Sequence, residues 1–221
     1  MPLQNRVTPF GEIVAEPWRG GLTGNRGCLH RADGTLGTAR WRHKAWVSCL
    51  TEFRGRWRPP MPPLDARSKW TALFFWDEAV ALTAGHRPCG QCRYKAHVAF
   101  REAWVRAGLV GQRAAEIDRV LHSSRVTPTR QQVTHEAPAA ALPNGAFAIR
   151  ARAPSVPLLA WRGRFLSLSQ GHGGYADAGP MQGWVTVLTP RPILAVLAAG
   201  YTVAPAGVPT ARRPLSGSRS P

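Results

Sequence analysis

Short runs of apolar and β-branched residues recur along this chain, and most of them have the length of strands. In the first half, residues 46–53 and 70–75 predict two strands that pair as an antiparallel hairpin. After residue 145 such runs are separated by Gly or Pro, which predicts a β-rich unit with strands at 146–149, 158–161, 165–168 and 184–188. Tight turns are predicted at Arg54-Gly55-Arg56 and at Arg162-Gly163.

Helical spacing and helix-end signals appear between and after these strands. A short alanine-rich helix is predicted between Asp77, which is an N-cap residue type, and Gly85. Apolar residues three and four apart predict further helices at 93–107, 112–123 and 192–199. Gly108 and Gly200 follow two of them and mark their ends.

The order of these elements predicts an α+β fold in two units. Residues 1–125 form a small α+β domain with the antiparallel hairpin and two or three helices. A polar, proline-bearing linker follows at 126–144, and the β-rich C-terminal unit occupies 145–203. Residues 204–221 are rich in Pro, Ser, Gly and Arg, which is typical of a disordered basic tail.

The charge of the chain narrows the choice of partners. Its net charge is +17, and Lys44, Lys69 and Lys95 are the only lysines among 29 basic residues. A biased genome base composition would favour Arg over Lys, but it would not explain why only 12 residues are acidic. Arginine binds phosphate in a bidentate manner, so we expect a nucleic-acid partner, with DNA as the first expectation. No signal peptide or membrane-spanning run is apparent, so we expect a cytoplasmic protein.

The most specific chemical signal is a pair of cysteines that follows the short helix. Cys89 and Cys92 form a Cys-x-x-Cys knuckle after Arg87-Pro88. Two thiols at this spacing supply half of a tetrahedral zinc site. A thioredoxin-like redox motif has the same spacing, but it follows a strand directly, whereas a helix precedes this pair. Zinc is therefore the favoured interpretation.

Two thiols do not complete a structural zinc site, so other ligands are needed. Cys28 lies on a glycine-flanked loop two residues from His30, and Cys49 lies within a predicted strand. The predicted ligand set is Cys28, Cys89 and Cys92, with His30 or Cys49 as the fourth.

The residues around this knuckle resemble a known family. Glu78-Ala79, Ala84-Gly85 and Arg87-Pro88-Cys89-x-x-Cys92 resemble the second half of the metal-binding domain of the Ada DNA-methylation repair proteins. The resemblance covers about a tenth of the chain and implies that residues 1–125 are an Ada-like zinc-binding domain, with Cys89 and Cys92 as ligands. In that family a cysteine of the first ligand pair accepts a methyl group from a DNA phosphotriester, whereas this chain has no upstream Cys-x-x-x-Cys pair.

The expected nucleic-acid surface combines arginines with tryptophans. Arg93, His97 and Arg101 lie four residues apart and form a basic stripe on the helix that follows the knuckle. The segment 40–58 adds further arginines, together with Trp41, Trp46 and Trp57, which could stack on unpaired bases. The predicted phosphate contacts are Arg40, Arg42, Arg54, Arg56, Arg87, Arg93 and Arg101.

Two enzymatic alternatives remain open at this point. The first is a methyl-acceptor protein in which a zinc-activated Cys28 is the nucleophile. The second is a hydrolase, because Asp118, His122 and Arg125 share one side of a predicted helix. In that case Asp118 would orient His122 as a base and Arg125 would hold an anion.

Overall fold

The structure is a computed structural model of the 221-residue chain, and it describes residues 2–57, 70–169 and 174–208. Both helices and strands are present, so the predicted α+β class is confirmed. The strands are β1 (Arg6–Val7), β2 (Ile13–Val14), β3 (Leu22–Asn25), β4 (Val47–Leu50), β5 (Glu52–Phe53), β6 (Arg56–Trp57), β7 (Leu73–Phe75), β8 (Arg87–Pro88), β9 (His135–Pro138), β10 (Phe147–Arg150), β11 (Ala153–Trp161), β12 (Arg164–Ser169), β13 (Gly174–Pro180) and β14 (Trp184–Val187). The helices are α1 (Glu78–Thr83), α2 (Tyr94–Arg106), α3 (Ala114–Arg125) and α4 (Arg191–Ala198), with a 3-10 turn at Ala139–Ala141.

Six strands from the first half of the chain form a mixed sheet in the order β2-β1-β7-β3-β4-β8. β3 lies between β4 and β7 and is antiparallel to both, so β4 and β7 run in the same direction. The predicted antiparallel hairpin between residues 46–53 and 70–75 is therefore wrong in its pairing. The error arises because Gly24 interrupts the strand pattern of β3, so β3 is not recognised from the sequence. In the fold this glycine allows close packing, since a Cβ at this position would lie 2.5 Å from Cε2 of Phe75.

The second sheet is antiparallel throughout, in the order β13-β12-β11-β10-β14-β9. Arg162 and Gly163 connect β11 to β12 with φ angles of 49° and 76°. Two positive φ angles are what a two-residue type I′ hairpin turn requires, so the predicted turn is confirmed. The β5–β6 hairpin is built in the same way, with φ angles of 53° at Arg54 and 70° at Gly55.

Helix α1 is buried from Ala79 to Thr83 and contacts both β7 and β10, so it connects the two sheets. After Glu78, its residues Ala-Val-Ala-Leu-Thr are all small or apolar, which suits a helix that is covered on most sides. Asp77 is the N-cap, as predicted, and its Oδ1 accepts a hydrogen bond from the backbone N–H of Val80 at 3.0 Å. Its Oδ2 accepts bonds from the Tyr175 hydroxyl at 2.8 Å and from the Ala206 N–H at 3.1 Å.

The other three helices lie where the sequence predicts them. α2 ends before Gly108, whose φ of 67° stops the helix, and Gly200 follows α4 with a φ of 95°. α3 begins two residues later than predicted and ends at Arg125. One hydrophobic core contains buried side chains from both sheets and from the helices, among them Phe75, Trp104 and Phe147.

The segment predicted as a linker, residues 126–144, contains β9, which pairs with β14 at the edge of the second sheet. Most of the predicted basic tail, residues 209–221, lies outside the described residues. Among the helices of the described ranges, none has the length and apolar character needed to cross a membrane.

Candidate functional site

Parallel pairing of β4 with β8 brings three cysteines together. Val47 lies opposite Arg87 and Ser48 opposite Pro88, and the backbone N–H of Cys89 donates to the Ser48 carbonyl at 3.0 Å. Cys49 of β4 therefore lies beside Cys89, which immediately follows β8. The turn after Cys89 adds Cys92, and the three Sγ atoms all lie within 4.8 Å of one another.

The surroundings of these sulfurs favour a thiolate at Cys89 and a neutral thiol at Cys49. The backbone N–H of Leu50 donates to Sγ of Cys92, and that of Gln91 donates to Sγ of Cys89, both at 3.4 Å. The Cys49 thiol also donates to Cys89, and this bond is the main reason that the pKa of Cys89 is lowered to about 4. The same contact, together with burial, raises the pKa of Cys49. A metal cation at this position would replace the shared proton.

This donor set fits a thiophilic metal ion, because the three sulfurs converge and two of them already accept backbone N–H groups. Cys49, Cys89 and Cys92 would hold the ion. Zinc takes four ligands in structural sites, so a fourth ligand would come from outside this group.

Of the predicted ligands, the structure brings together Cys49, Cys89 and Cys92. Of the two candidates for the fourth ligand, His30 and Cys49, it is therefore Cys49 that lies beside the Cys-x-x-Cys pair. The structure does not bring Cys28 or His30 to them. Cys28 is exposed and its Sγ lies 3.7 Å from the His30 carbonyl. The two ring nitrogens of His30 lie 3.0 Å from Thr71 Oγ1 and 3.0 Å from the Gln4 carbonyl. His30 is therefore engaged with Thr71 and Gln4 and does not belong to the cysteine group.

The three catalytic candidates do not form an Asp–His pair. Asp118 is buried and binds the guanidinium of Arg87 in a bidentate manner, with Nε–Oδ1 and Nη2–Oδ2 distances of 2.8 Å each. His122 instead has its Nδ1 3.1 Å from Nη2 of Arg125. No hydrogen bond joins Asp118 to His122 in the described ranges. Burial and the Arg125 charge lower the pKa of His122 to about 4, so the ring is neutral but has no carboxylate to orient it.

Two of the predicted phosphate contacts are already paired with acids inside the protein. Arg87 binds Asp118, and Arg93 binds Glu78 with an Nη2–Oε1 distance of 2.6 Å and Ser48 with an Nη1–Oγ distance of 2.7 Å. The remaining predicted contacts are more accessible. Arg42, Arg54 and Arg101 are exposed and Arg40 is half-buried, whereas the side chain of Arg56 lies outside the description.

Trp46, a predicted stacking residue, is buried and lies between two arginines instead. The Cζ of Arg26 lies 4.1 Å from its ring centroid, and the Cζ of Arg125 lies 3.7 Å from it. Trp41 is half-buried and packs against Trp46 with a centroid separation of 6.0 Å, while the side chain of Trp57 is outside the description. Arg26 is not among the predicted phosphate contacts, although it lies between two glycines, Gly24 and Gly27.

His86 completes this group. Its ring lies 4.6 Å from Phe75 and 5.1 Å from Trp46, centroid to centroid. Nδ1 lies 3.1 Å from the Ala84 carbonyl, and Nε2 accepts a bond from Nε of Arg26 at 3.3 Å. This arrangement requires a neutral ring with its proton on Nδ1. Burial and the charges of Arg26 and Arg125 lower the pKa of His86 well below its usual value.

Comparisons with protein-family models, with curated proteins and with solved structures give no match for this chain. The resemblance to the Ada metal-binding domain therefore remains a prediction that depends on Arg87, Pro88, Cys89 and Cys92. The geometry around those residues defines a three-cysteine centre, whichever family the chain belongs to.

Proposed function

We propose that this protein is a cytoplasmic, zinc-stabilised nucleic-acid-binding protein, with DNA as its first expected partner. The observation that carries this proposal is the net charge of +17, supplied almost entirely by arginine. A surface with so many guanidinium groups attracts a polyanion and contacts phosphate through paired N–H donors.

The pairing of charges within the fold supports this proposal. Only three ion pairs form among the described residues: Arg87–Asp118, Arg93–Glu78 and Arg164–Asp177. The chain has 29 basic and 12 acidic residues, so most arginines have no acid to neutralise them. Arg42, Arg54 and Arg101 are exposed and are the first candidates for phosphate contacts.

The metal has a structural role in this proposal. Cys49 belongs to β4, Cys89 follows β8, and Cys92 lies two residues before α2. An ion bound by all three would fix the edge of the first sheet to the start of α2. That helix carries Arg101 on its exposed side, so the centre would hold a phosphate contact in place.

One experiment separates binding from the two enzymatic alternatives. The protein is incubated with methylated DNA, with plain DNA and with RNA, and binding, protein mass and nucleic-acid length are then measured. The proposal expects a retained complex, an unchanged protein mass and intact nucleic acid. A methyl adduct on Cys28 would establish methyl transfer. Shortened nucleic acid that disappears in a His122→Ala variant would establish hydrolysis.

The geometry gives no specific support to methyl transfer or to hydrolysis. Cys28 lies outside the three-cysteine centre, so a metal bound by Cys49, Cys89 and Cys92 would not activate the Cys28 thiol. Asp118 is occupied by Arg87, which leaves His122 without the partner that a hydrolase would need.

A further inference from the structure

A cavity of about 510 Å³ lies apart from the three cysteines, and arginine dominates its wall. Arg26, Arg40, Arg125 and Arg130 line it, and Glu12 is the one acidic residue that does so among the described residues. Trp41 and Trp46 also contribute to the wall. Four cations around one cavity with a single carboxylate leave it strongly positive, which suits an anionic ligand.

The inner wall holds two buried arginines whose hydrogen-bonding capacity is incomplete. Arg26 and Arg125 are each 2% exposed, and neither forms an ion pair within the described part of the chain. Nη2 of Arg26 and Nε of Arg125 are buried without a hydrogen-bond partner. Buried cations without a directly bound carboxylate are costly, and a bound anion would reduce that cost.

Backbone contacts fix the positions of these two side chains. Arg125 donates from Nη1 to the Gly85 carbonyl and from Nη2 to the Lys44 carbonyl, both at 2.7 Å. Arg26 donates from Nη1 to the Gly11 carbonyl at 3.3 Å. The guanidinium groups lie on the Trp46 ring, so they are positioned before any ligand arrives.

The other two arginines are more accessible. Arg40 is half-buried and its Nη1 donates to the Gly37 carbonyl at 2.7 Å. Arg130 is exposed and its Nη1 donates to the Thr38 carbonyl at 2.8 Å. A guanidinium has five N–H donors, so both side chains retain donors for a ligand after making these bonds.

We propose that this cavity binds the phosphate monoester of a nucleotide, either free or at the phosphorylated end of a nucleic-acid strand. A monoester carries up to two negative charges and three terminal oxygens, which several guanidiniums recognise better than the single charge of an internal diester. The cavity lies within the range of about 300–1,000 Å³ that is common for small-molecule sites. Trp41 offers the base a partly uncovered ring.

This inference goes beyond general nucleic-acid affinity, because a free nucleotide would occupy the cavity even if no polynucleotide bound. The test uses two pairs of ligands at constant ionic strength: AMP against adenosine, and a 5′-phosphorylated DNA octamer against the same octamer with a 5′-hydroxyl. Affinity is measured by calorimetry. We expect the phosphorylated member of at least one pair to bind about tenfold more tightly or better. The pair that shows the preference identifies the source of the phosphate.

Matched variants locate the site. Arg40→Gln combined with Arg130→Gln should reduce the preference for the phosphorylated ligand at least several-fold. Arg191→Gln removes one charge from an exposed residue outside the cavity wall and should leave the preference unchanged. Circular dichroism checks that each variant is folded, and Arg26→Lys then tests the inner wall in a form that keeps the charge.

Two results would overturn the inference. One is equal affinity for the phosphorylated and unphosphorylated members of both pairs. The other is a preference that survives in the folded Arg40/Arg130 double variant, because the phosphate would then bind elsewhere. If neither octamer binds but AMP binds more tightly than adenosine, the result would count against the proposed function and would support the cavity as a nucleotide site.

Discussion

Gly85 and His86, at the end of α1, show how single residues determine the arginine arrangement. Gly85 has a φ of 80°, and its carbonyl accepts a hydrogen bond from Arg125. A Cβ at this position would lie only 2.3 Å from Cδ of Arg125. His86 then supplies a neutral acceptor to Arg26. Glycine is needed here both for its backbone conformation and for the space it leaves.

The role of Gly85 can be separated into these two contributions. Gly108 also ends a helix, with a φ of 67°, but a Cβ there would have no neighbour within 4 Å. Gly108→Ala should therefore lose only the conformational preference, about 1 kcal/mol of unfolding free energy. Gly85→Ala should lose this and about 1–3 kcal/mol more from overpacking against Arg125. Urea denaturation measures both, and equal losses would refute the close-packing argument.

His86 should make stability depend on pH. Its pKa is lowered in the folded protein, so between that value and about 6.5 the unfolded chain binds a proton that the folded chain does not. The contribution of His86 to the free energy of unfolding is therefore complete above pH 6.5. It decreases as the pH falls below that value, by at most about 1.4 kcal/mol per pH unit. His86→Phe should make the slope shallower between pH 6.5 and 5, whatever its effect at pH 7.5. An unchanged slope would contradict a neutral buried His86.

At the scale of elements, the region around β8 joins the three-cysteine centre to α3. β8 pairs with β4, its Arg87 binds Asp118 of α3, and Cys89 follows it. Arg93, at the start of α2, binds Glu78 of α1. This two-residue strand is therefore held by its pairing with β4 and by the ion pair with α3, which is why changes at single side chains here should have large effects.

Metal binding should require Cys49 and not Cys28. Purified protein should contain about one zinc per chain, and Cys49→Ser, like Cys92→Ser, should lose the metal together with much of its thermal stability. Cys28→Ser should keep both, because Cys28 lies outside the cysteine cluster. Elemental analysis and thermal denaturation provide the readouts. Metal loss in the Cys28 variant with retention in the Cys49 variant would restore the ligand set centred on Cys28.

The ion pair between β8 and α3 should be strongly stabilising against removal of one partner. Arg87 and Asp118 have side chains that are 7% and 6% exposed. Asp118→Asn would leave the Arg87 charge buried without compensation, so we expect a loss of about 3–5 kcal/mol of unfolding free energy. Glu102→Gln on the exposed side of α2 is a control for the loss of one acidic charge. A loss below about 1 kcal/mol for Asp118→Asn would show that the pair is not desolvated.

At the scale of the whole molecule, sequence signals that act locally gave correct predictions of caps and turns, whereas long-range strand pairing was not predicted correctly. Asp77, Gly108 and the Arg162-Gly163 turn act within a few residues, so the sequence indicated their roles. β3 contains a glycine and polar residues, which hid its place between β4 and β7. Cys89 and Cys92 were predictable from their spacing, whereas the choice of Cys49 as third member depends on strand register. The pairing of Trp46 with Arg26 and Arg125 likewise depends on contacts between distant segments.

The net charge of +17 is the basis of the proposal that the protein binds nucleic acid through arginine–phosphate contacts. The most direct test is the affinity of the zinc-loaded protein for double-stranded DNA, single-stranded DNA and RNA, measured by fluorescence anisotropy between 50 and 200 mM salt. With about four phosphate contacts, the logarithm of the binding constant for double-stranded DNA should fall with the logarithm of salt concentration with a slope of about −3.6. The Arg42→Gln/Arg101→Gln double variant should lose about two phosphate contacts, so its slope should be about −1.8. Undetectable binding to all three nucleic acids at 50 mM salt, or binding that does not change with salt, would contradict the claim.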